Sequence, residues 1–289
     1  MNSYTSDSYF HIGAQHVRSG LPCEDYALHG AAGEVSYIVV SDGCSSGGRT
    51  DVGARLLAHT TARAIERGAQ DVAPTVDPWS IMLSSNLLLD EVEHSLALRP
   101  EDMFATLLVG VVQAHGDGYL RVYGDGIVAA CYDNGVRVYS QVSWDDNMPF
   151  YPRYQGNLRD AFIVAHGGDL DRERVTQEVV RVSGEHVVRT KTRVTLREAM
   201  DGDEMSLRAP QLPGDAPRMV ALFSDGLAQI EGVSWEQAVD EALAFRSTKG
   251  AFLKRRMIRQ FKQYERDGVI AHDDVAGAVL IRNKDGGET

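Results

Sequence analysis

The sequence predicts an α+β fold, a four-layer αββα sandwich of two antiparallel sheets, each covered on its outer side by a pair of helices. Strand-like and helix-like runs occur in the order strands, two helices, strands, two helices and a last strand. A doubly wound parallel sheet would need a stricter alternation of strands and helices. No composition shift marks a linker, so the sequence predicts one domain over residues 1–289.

The first half of the chain contains most of the predicted strands. Three strand-like runs, YFHIGAQ, EDYALHG and VSYIVV, come first. Apolar residues at helical spacing then predict helices over residues 50–68 and 78–98. Four further strand-like runs follow, separated by Gly118, Gly126 and the turn sequence DNG: FATLLVGVV, YLRVYG, IVAACY and VRVYSQV.

The second half begins with an irregular stretch, which we interpret as a flap-like insertion at about 144–217. Inside it, two strand-like runs flank Ser183-Gly184 and predict a hairpin. Ser234 and Gln237 have the spacing of a helix capping box, and apolar spacing predicts a further helix over residues 250–266. The run VAGAVLI predicts the last strand.

Composition and charge restrict the function and the location. The chain has 41 acidic against 29 basic residues, a formal charge of -12, which disfavours general nucleic-acid binding and is compatible with cation binding. No apolar stretch approaches the ~20 residues needed to cross a bilayer, and the N-terminus does not resemble a secretion signal. The three cysteines lack paired spacing. These features predict a cytoplasmic protein without membrane partners.

Acidic residues stand at the ends of apolar strands. Asp42, Asp125 and Asp225 are each followed by glycine, and Asp273 precedes the last strand. Two carboxylates ~5 Å apart repel by roughly 3 kcal/mol at an effective dielectric of 20, so a cluster of them needs a cation. Oxygen ligands without a His/Cys set favour Mg²⁺ or Mn²⁺. A lone Asp-Gly is usually a turn, and periodicity alone does not show that these strand ends meet.

Six motifs in this order resemble those of the type 2C metal-dependent serine/threonine protein phosphatases, and the resemblance covers most of the chain. The segments GLPCEDY and NMPFYPRY most resemble a bacterial branch of that family. The six motifs are HVRSGLPCEDY, VVSDGCSSGG, FATLLVGVV, VYGDGIVAACYDNG, ALFSDGLAQI and HDDVAGAVLI.

The resemblance implies a centre of two Mn²⁺ or Mg²⁺ ions between the sheets, and a hydroxide held there that attacks phosphorus. It implies that Asp42 bridges both ions, that the Gly43 carbonyl binds one, and that Asp225 and Asp273 bind the other. Asp42, Asp225 and Asp273 are thus the candidate catalytic residues. Two further sets complete the implied site: Glu24 and Asp25, which would hold metal-bound waters, and Asp125, which is a candidate ligand for a third ion.

The sequence departs from the family pattern at several positions. Many members have a phosphate-binding arginine where this chain has Gly20, so Arg18 and His16 are the candidates for that role. Some members have a histidine where this chain has Cys44, which we interpret as a small packing residue. The Ser-Arg that follows the acid equivalent to Asp125 is replaced by Gly-Ile.

The resemblance implies a phosphatase for phosphoserine and phosphothreonine in proteins, whose partner would be a serine/threonine kinase or that kinase's target. Two alternatives remain open: a catalytically weak phosphatase-fold regulatory or binding protein, and a hydrolase of small phosphate esters. Arg189, Lys191 and Arg193 share one face of the hairpin, which we interpret as a substrate-facing flap or as the guard of a sheet edge. The run LKRRMIRQFK is interpreted as a solvated helix face.

Overall fold

The structure is a computed structural model that describes residues 3–70, 77–114, 116, 118–201 and 217–283. The flap-like insertion predicted at about 144–217 therefore lies partly outside the described residues. The elements up to residue 144 are β1 (Tyr4–His11), α1 (Ala14–Ser19), β2 (Asp25–Ala32), β3 (Val35–Asp42), α2 (Thr50–Gln70), α3 (Pro78–Ser95), β4 (Leu107–Gln113), β5 (Gly118–Tyr123), β6 (Gly126–Cys131) and β7 (Arg137–Trp144).

The elements after residue 144 include two short helices, the hairpin and the second helix pair. They are α4 (Arg159–Ala165), β8 (Glu173–Ser183), β9 (His186–Thr195), α5 (Leu196–Asp201), β10 (Met219–Phe223), α6 (Trp235–Ala242), α7 (Phe252–Asp267) and β11 (Val275–Arg282). No helix within the described ranges combines the length and the apolar character that a membrane span requires.

The strands form two antiparallel sheets. One has the order β2-β3-β4-β5, and the other has the order β1-β11-β10-β6-β7-β8-β9. Every pairing between neighbouring strands is antiparallel. The chain therefore leaves the larger sheet after β1 and returns to it after β5, and strands that are distant in sequence, such as β1 and β11, become neighbours.

Three apolar cores separate four layers. The core between the sheets contains Ile38 and Val40 of β3 against Leu222 of β10 and Ala278 of β11. The alternate residues of the same strands face outward, where one core packs against α2 and α3 and another packs against α6 and α7. Central strands such as β3 are apolar on both faces because each sheet is covered on both sides. This architecture confirms the αββα sandwich predicted from the sequence.

The first strand differs from its prediction. Residues 4–11 pair with β11, whereas Ala14 and Gln15, the last two residues of the predicted strand YFHIGAQ, begin the short helix α1. The sequence pattern did not reveal the first part of β1 because most residues before Phe10 are polar. One of these polar residues has a structural function. The buried Asp7 carboxylate accepts hydrogen bonds from the backbone N–H groups of Leu253 and Lys254 at the start of α7.

The hairpin confirms the prediction of two strands around Ser183-Gly184 but not its interpretation as a substrate-facing flap. β8 pairs with β7 along its length, so the hairpin extends the larger sheet and β9 is its edge. Gly126, at the acidic end of β6, lies level with Val142 of β7, whereas the hairpin turn lies beyond the opposite end of that strand. The turn therefore points away from the strand ends that carry the acidic residues.

Candidate active site

Two aspartates from adjacent strands form one side of the candidate site. Asp25 is the first residue of β2 and Asp42 is the last residue of β3, and the two are direct partners in the antiparallel register. Directly opposite residues project from the same face of a sheet. Their neighbours on that face, Ala27 and Val40, lie in the core between the sheets, so both carboxylates point into that gap.

The turn after β3 is held by the strand that follows the first helix pair. The Asp42 backbone N–H donates to the Thr106 hydroxyl at 3.1 Å, and the Asp42 carbonyl accepts from the Thr106 N–H at 2.8 Å. The Ser41 hydroxyl donates to the Thr106 carbonyl at 2.7 Å. Gly43 is needed because a Cβ there would lie 2.8 Å from the Thr50 carbonyl oxygen. The first Ser-Asp-Gly is therefore a rigid strand end.

The second Ser-Asp-Gly connects the two sheets. The Ser224 hydroxyl donates to the Asp25 carboxylate at 2.6 Å and accepts from the Ala276 N–H at 2.8 Å. Asp225 then begins a short 3-10 turn, in which Gln229 donates to its carboxylate at 2.8 Å. A Cβ on Gly226 would overlap the Asp274 carbonyl oxygen, so only glycine allows this turn to contact the start of β11.

Adjacent aspartates before β11 have different surroundings. The Asp274 carboxylate is 2% exposed and accepts hydrogen bonds from the backbone N–H groups of Gly13 and Glu24, both at 2.6 Å. The ring Nδ1 of His16 lies 2.8 Å from the same carboxylate. Asp273 is partly exposed and, among the described residues, accepts a hydrogen bond only from the following backbone N–H, at 2.8 Å. Asp273 is therefore the accessible carboxylate of the pair, whereas Asp274 connects three segments of backbone.

Asp125 approaches from the turn between β5 and β6 and is 6% exposed. Gly124 and Gly126 flank it with φ values of +102° and +134°, a region that favours glycine. A Cβ on Gly126 would lie 2.9 Å from the carbonyl oxygen of Phe223, so this turn packs against the end of β10. Asp125 and Asp225 are therefore neighbours.

Five aspartates, some buried and some accessible, form the acidic centre, in which neighbouring carboxylates interact electrostatically. They are Asp25, Asp42, Asp125, Asp225 and Asp273. Burial raises the pKa of Asp42 well above its usual range, and the carboxylates of Asp25, Asp225 and Asp125 raise it further. Burial also raises the pKa of Asp25, Asp125 and Asp273, and the neighbouring carboxylates add to each increase. Within the described chain, no ion pair with lysine or arginine neutralises these acids; the ring of His16 lies beside the neighbouring carboxylates of Asp274 and Glu24.

The donor set fits hard divalent cations. All the side-chain donors are carboxylate oxygens, which Mg²⁺ and Mn²⁺ prefer. The buried Oε2 of Glu24 has no hydrogen-bond partner within the described residues, and the His16 Nε2 lies 3.6 Å from it. In the described parts of the chain, no three acidic, histidine or cysteine side chains already stand in the geometry of a metal site.

The two candidates for phosphate binding have different environments. His16 is 5% exposed, and its two ring nitrogens face the carboxylates of Asp274 and Glu24. Arg18 lies near the end of α1, is exposed, and forms no ion pair within the described ranges. Arg18 is therefore the more accessible cation, and His16 connects α1 to the acidic residues.

An aromatic segment, residues 148–155, lies across this end of the sandwich. It begins after β7 of the larger sheet and contacts α3, which covers the smaller sheet, through the Arg153–Glu93 ion pair at 2.8 Å. Tyr151 stacks on Phe104, with ring centroids 6.0 Å apart. The Phe104 carbonyl in turn accepts from the Cys44 N–H at 2.9 Å, directly after Asp42 and Gly43.

The Tyr151 hydroxyl belongs to the site. Burial raises the pKa of Tyr151 strongly, and the adjacent Cys44 thiol and the nearby Asp125 and Asp42 carboxylates raise it further. The phenol is therefore protonated at neutral pH and can donate a hydrogen bond. Cys44 accordingly has a polar contact in addition to the packing function predicted for it.

Sequence reasoning missed several residues that shape the site. Asp274 was indistinguishable from Asp273 because both precede the same apolar strand. Thr106 and Tyr151 lie far along the chain from the acids they adjoin. The sequence did contain a signal for Ser41 and Ser224, because both apolar strands end in Ser-Asp-Gly. Both serine side chains are fully buried hydrogen-bond donors.

A sequence comparison identifies the family of proteins to which this sheet sandwich belongs. Residues 12–269 match the family model described as protein phosphatase 2C. The chain therefore belongs to the protein phosphatase 2C family, as the motif resemblance predicted. A comparison with curated protein sequences gives no significant match.

Solved structures with low sequence identity share the fold. A Caenorhabditis elegans sex determining protein is 15% identical with a TM-score of 0.54, and the match covers 98% of this chain and 66% of that one. PppA of Pseudomonas aeruginosa, described as a key regulatory component of T6SS, is 15% identical with a TM-score of 0.50 over 98% and 99% of the two chains. A bacterial serine phosphatase is 11% identical, with the same TM-score and coverage.

Proposed function

We propose that this protein is a divalent-metal-dependent phosphatase that hydrolyses phosphoserine and phosphothreonine in proteins. The observation that supports the proposal best is the convergence of five aspartates from five separate strand ends on the gap between the sheets, without a balancing lysine or arginine in the described chain. Such a cluster is unfavourable unless cations occupy it. Membership of the protein phosphatase 2C family supports the reaction class.

In this proposal Asp42 and the Gly43 carbonyl, with Asp225 and Asp273, hold two Mn²⁺ or Mg²⁺ ions. Glu24 and Asp25 would hold water molecules of the same centre, and Asp125 would be available to a third ion. When bound, the ions supply a nucleophilic water at neutral pH and neutralise charge on the phosphoryl group. The protein's own contribution is the rigid placement of these carboxylates by Thr106, Ser41 and Ser224.

Three further side chains complete the proposed site. Arg18, exposed and without an ion pair in the described chain, binds the substrate phosphate. His16 acts as a positioning residue, because its ring is buried between Asp274 and Glu24. The Tyr151 hydroxyl donates a hydrogen bond to the substrate from the aromatic segment, beside Cys44.

A single assay tests the function. The purified protein is incubated with a phosphothreonine peptide in Mn²⁺, and then with excess EDTA. We expect phosphate release that stops in EDTA and returns when Mn²⁺ is restored. Asp42→Asn should lose nearly all turnover and remain folded, because removing one carboxylate also relieves the repulsion within the cluster. Wild-type turnover in Asp42→Asn would refute the proposed centre.

The alternative is a phosphatase-fold protein that binds a partner without useful catalysis. The observation that favours it is that the usual arginine position is Gly20 and that no metal-ligand geometry is preformed among the described residues. The same assay distinguishes the two functions. A folded protein whose melting temperature rises with Mn²⁺, but which releases phosphate neither from peptides nor from a small aryl phosphate, would support the binding function.

A further inference from the structure

A basic segment, residues 246–262, interrupts the acidic surface of the protein. It contains seven of the chain's 29 lysine and arginine residues and none of its 41 acidic residues. It begins after α6 and includes the first turns of α7. The sequence alone predicted a solvated helix face here, but the structure shows a concave surface.

The concave surface encloses a cavity of about 570 Å³ between the end of α6 and the start of α7. Its volume lies within the range of small-molecule sites. Phe245 and Phe252, packed edge to face with centroids 5.0 Å apart, form its apolar part. Four arginine side chains line the same cavity: Arg246, Arg255, Arg256 and Arg259.

Two of these guanidinium groups are held by backbone carbonyls and not by acids. Arg255 donates to the Lys249 carbonyl at 2.6 Å, and Arg256 donates to the Glu241 carbonyl. A guanidinium has five N–H donors, so each retains donors for a ligand. None of the four arginines forms an ion pair with a carboxylate in the part of the chain that the structure describes. Like charges grouped around one cavity favour an anionic ligand.

The cavity is separate from the acidic centre. Its residues lie on the helix layer outside the larger sheet, whereas the acids point into the gap between the sheets. The start of α7 is held at Asp7, which pairs with Val279, four residues along β11 from the end that carries the acids. At ~3.3 Å per residue this is a separation of about 13 Å along the strand alone.

We propose that this cavity is a binding site for a small ligand with two or more adjacent phosphate groups. The planar fork of arginine binds phosphate oxygens in pairs, so several arginines around one cavity suit a diphosphate better than a single carboxylate. The three lysines of the segment, Lys249, Lys254 and Lys262, are exposed and do not line the cavity. The arginines line the concave surface from several positions, so a compact ligand inside the cavity could contact more than one of them.

The test uses the full chain in EDTA, so that binding at the acidic centre and hydrolysis make no contribution. Titration calorimetry with pyrophosphate should show saturable binding of a single equivalent. The variant Arg255→Gln/Arg259→Gln should bind at least about tenfold more weakly, because it loses charge-assisted hydrogen bonds. The matched control Lys254→Gln/Lys262→Gln removes the same charge from the same helix outside the cavity, and should change the affinity by less than about twofold.

Three outcomes would overturn the proposal. The first is the absence of saturable pyrophosphate binding to the wild-type protein. The second is equal weakening by the two variants, which would indicate attraction to the overall charge of the helix. The third is tighter binding of a polyglutamate peptide than of pyrophosphate, which would indicate a docking surface for acidic protein segments. The melting temperatures of both variants, whose substituted side chains are exposed, confirm that they are folded.

Discussion

At the scale of single residues, Asp273 and Asp274 show how neighbouring identical side chains acquire different functions. Both precede β11, but their side chains have different surroundings. Asp274 faces inward and is enclosed by the backbone of Gly13 and Glu24 and by the His16 ring. Asp273 stays accessible beside Asp225. The first is a structural acid and the second is available to a cation.

This difference predicts opposite effects of the two alanine substitutions. Asp274→Ala should lower the free energy of unfolding by on the order of 3 kcal/mol, since it leaves buried donors without an acceptor. Asp273→Ala should change that free energy by less than about 1 kcal/mol but abolish the increase in melting temperature on adding Mn²⁺. Urea denaturation and thermal melts with and without Mn²⁺ measure both quantities. Equal stability losses in the two variants would contradict the assignment.

Tyr151 provides a second prediction at this scale. Tyr151→Phe removes the hydroxyl beside Cys44 and retains the ring that stacks on Phe104. We expect kcat/KM for a phosphopeptide to fall about ten- to a hundredfold, because a donor to the reacting phosphate is lost. The increase in melting temperature with Mn²⁺ should not change. Phe150→Leu, in the same segment but without a hydroxyl, is the control, and unchanged kcat/KM in Tyr151→Phe would exclude the proposed contact.

At the scale of elements, the position of the β8–β9 hairpin favours the sheet-edge guard over the substrate-facing flap, the two interpretations that the sequence left open. The basic residues predicted to meet a substrate form ion pairs within the molecule. Lys191 lies 3.3 Å from Glu178, Arg193 lies 2.6 Å from Asp145, and Arg189 pairs with Glu236. Basic side chains on an exposed outer strand discourage edge-to-edge pairing of two molecules. The aromatic segment occupies the position beside the acids that the hairpin was expected to take.

We therefore expect the triple variant Arg189→Ala, Lys191→Ala, Arg193→Ala to hydrolyse a small aryl phosphate and a phosphoprotein at rates within about twofold of the wild type. Its tendency to self-associate should increase, because the edge strand loses its charges. Light scattering and the two assays measure these effects. Selective loss of phosphoprotein hydrolysis would restore the flap interpretation.

At the scale of the whole molecule, the electrostatics connect metal binding to stability. In the metal-free protein, burial and mutual repulsion raise the pKa of Asp25, Asp42, Asp125 and Asp273 above the ordinary value. The folded state therefore binds more protons than the unfolded chain. This contribution to stability is fully present below the unfolded carboxyl pKa of about 4 and is lost as the pH rises through the folded values.

The melting temperature in EDTA should accordingly decrease as the pH rises from about 4 towards neutrality, and Mn²⁺ should reverse the decrease. Asp42→Asn, which removes one of the mutually repelling acids, should show a shallower decrease in EDTA and a smaller response to Mn²⁺. Calorimetric melts across the pH range measure both. A melting temperature in EDTA that stays constant or rises over this interval would contradict the electrostatic account.

Much of the fold was predictable because apolar periodicity is a local property of the sequence. The continuous apolar runs VSYIVV and MVALF, and the helical spacing elsewhere in the chain, indicated the strands, the helix pairs and the layers. The repeated Ser-Asp-Gly also indicated which acids stand at strand ends. The candidate ligands Asp42, Asp225 and Asp273 followed from these positions and from the family resemblance.

Only the tertiary structure decided which strand ends meet. The register of β2 on β3 places Asp25 opposite Asp42, and the pairing of β10 with β11 brings Asp225 to Asp273. Register and burial depend on contacts between residues far apart in sequence, which a local pattern does not encode. The same reason applies to Tyr151, which reaches the acids through ring stacking on Phe104, and to the arginines of α7, whose cavity exists only where α6 ends against them.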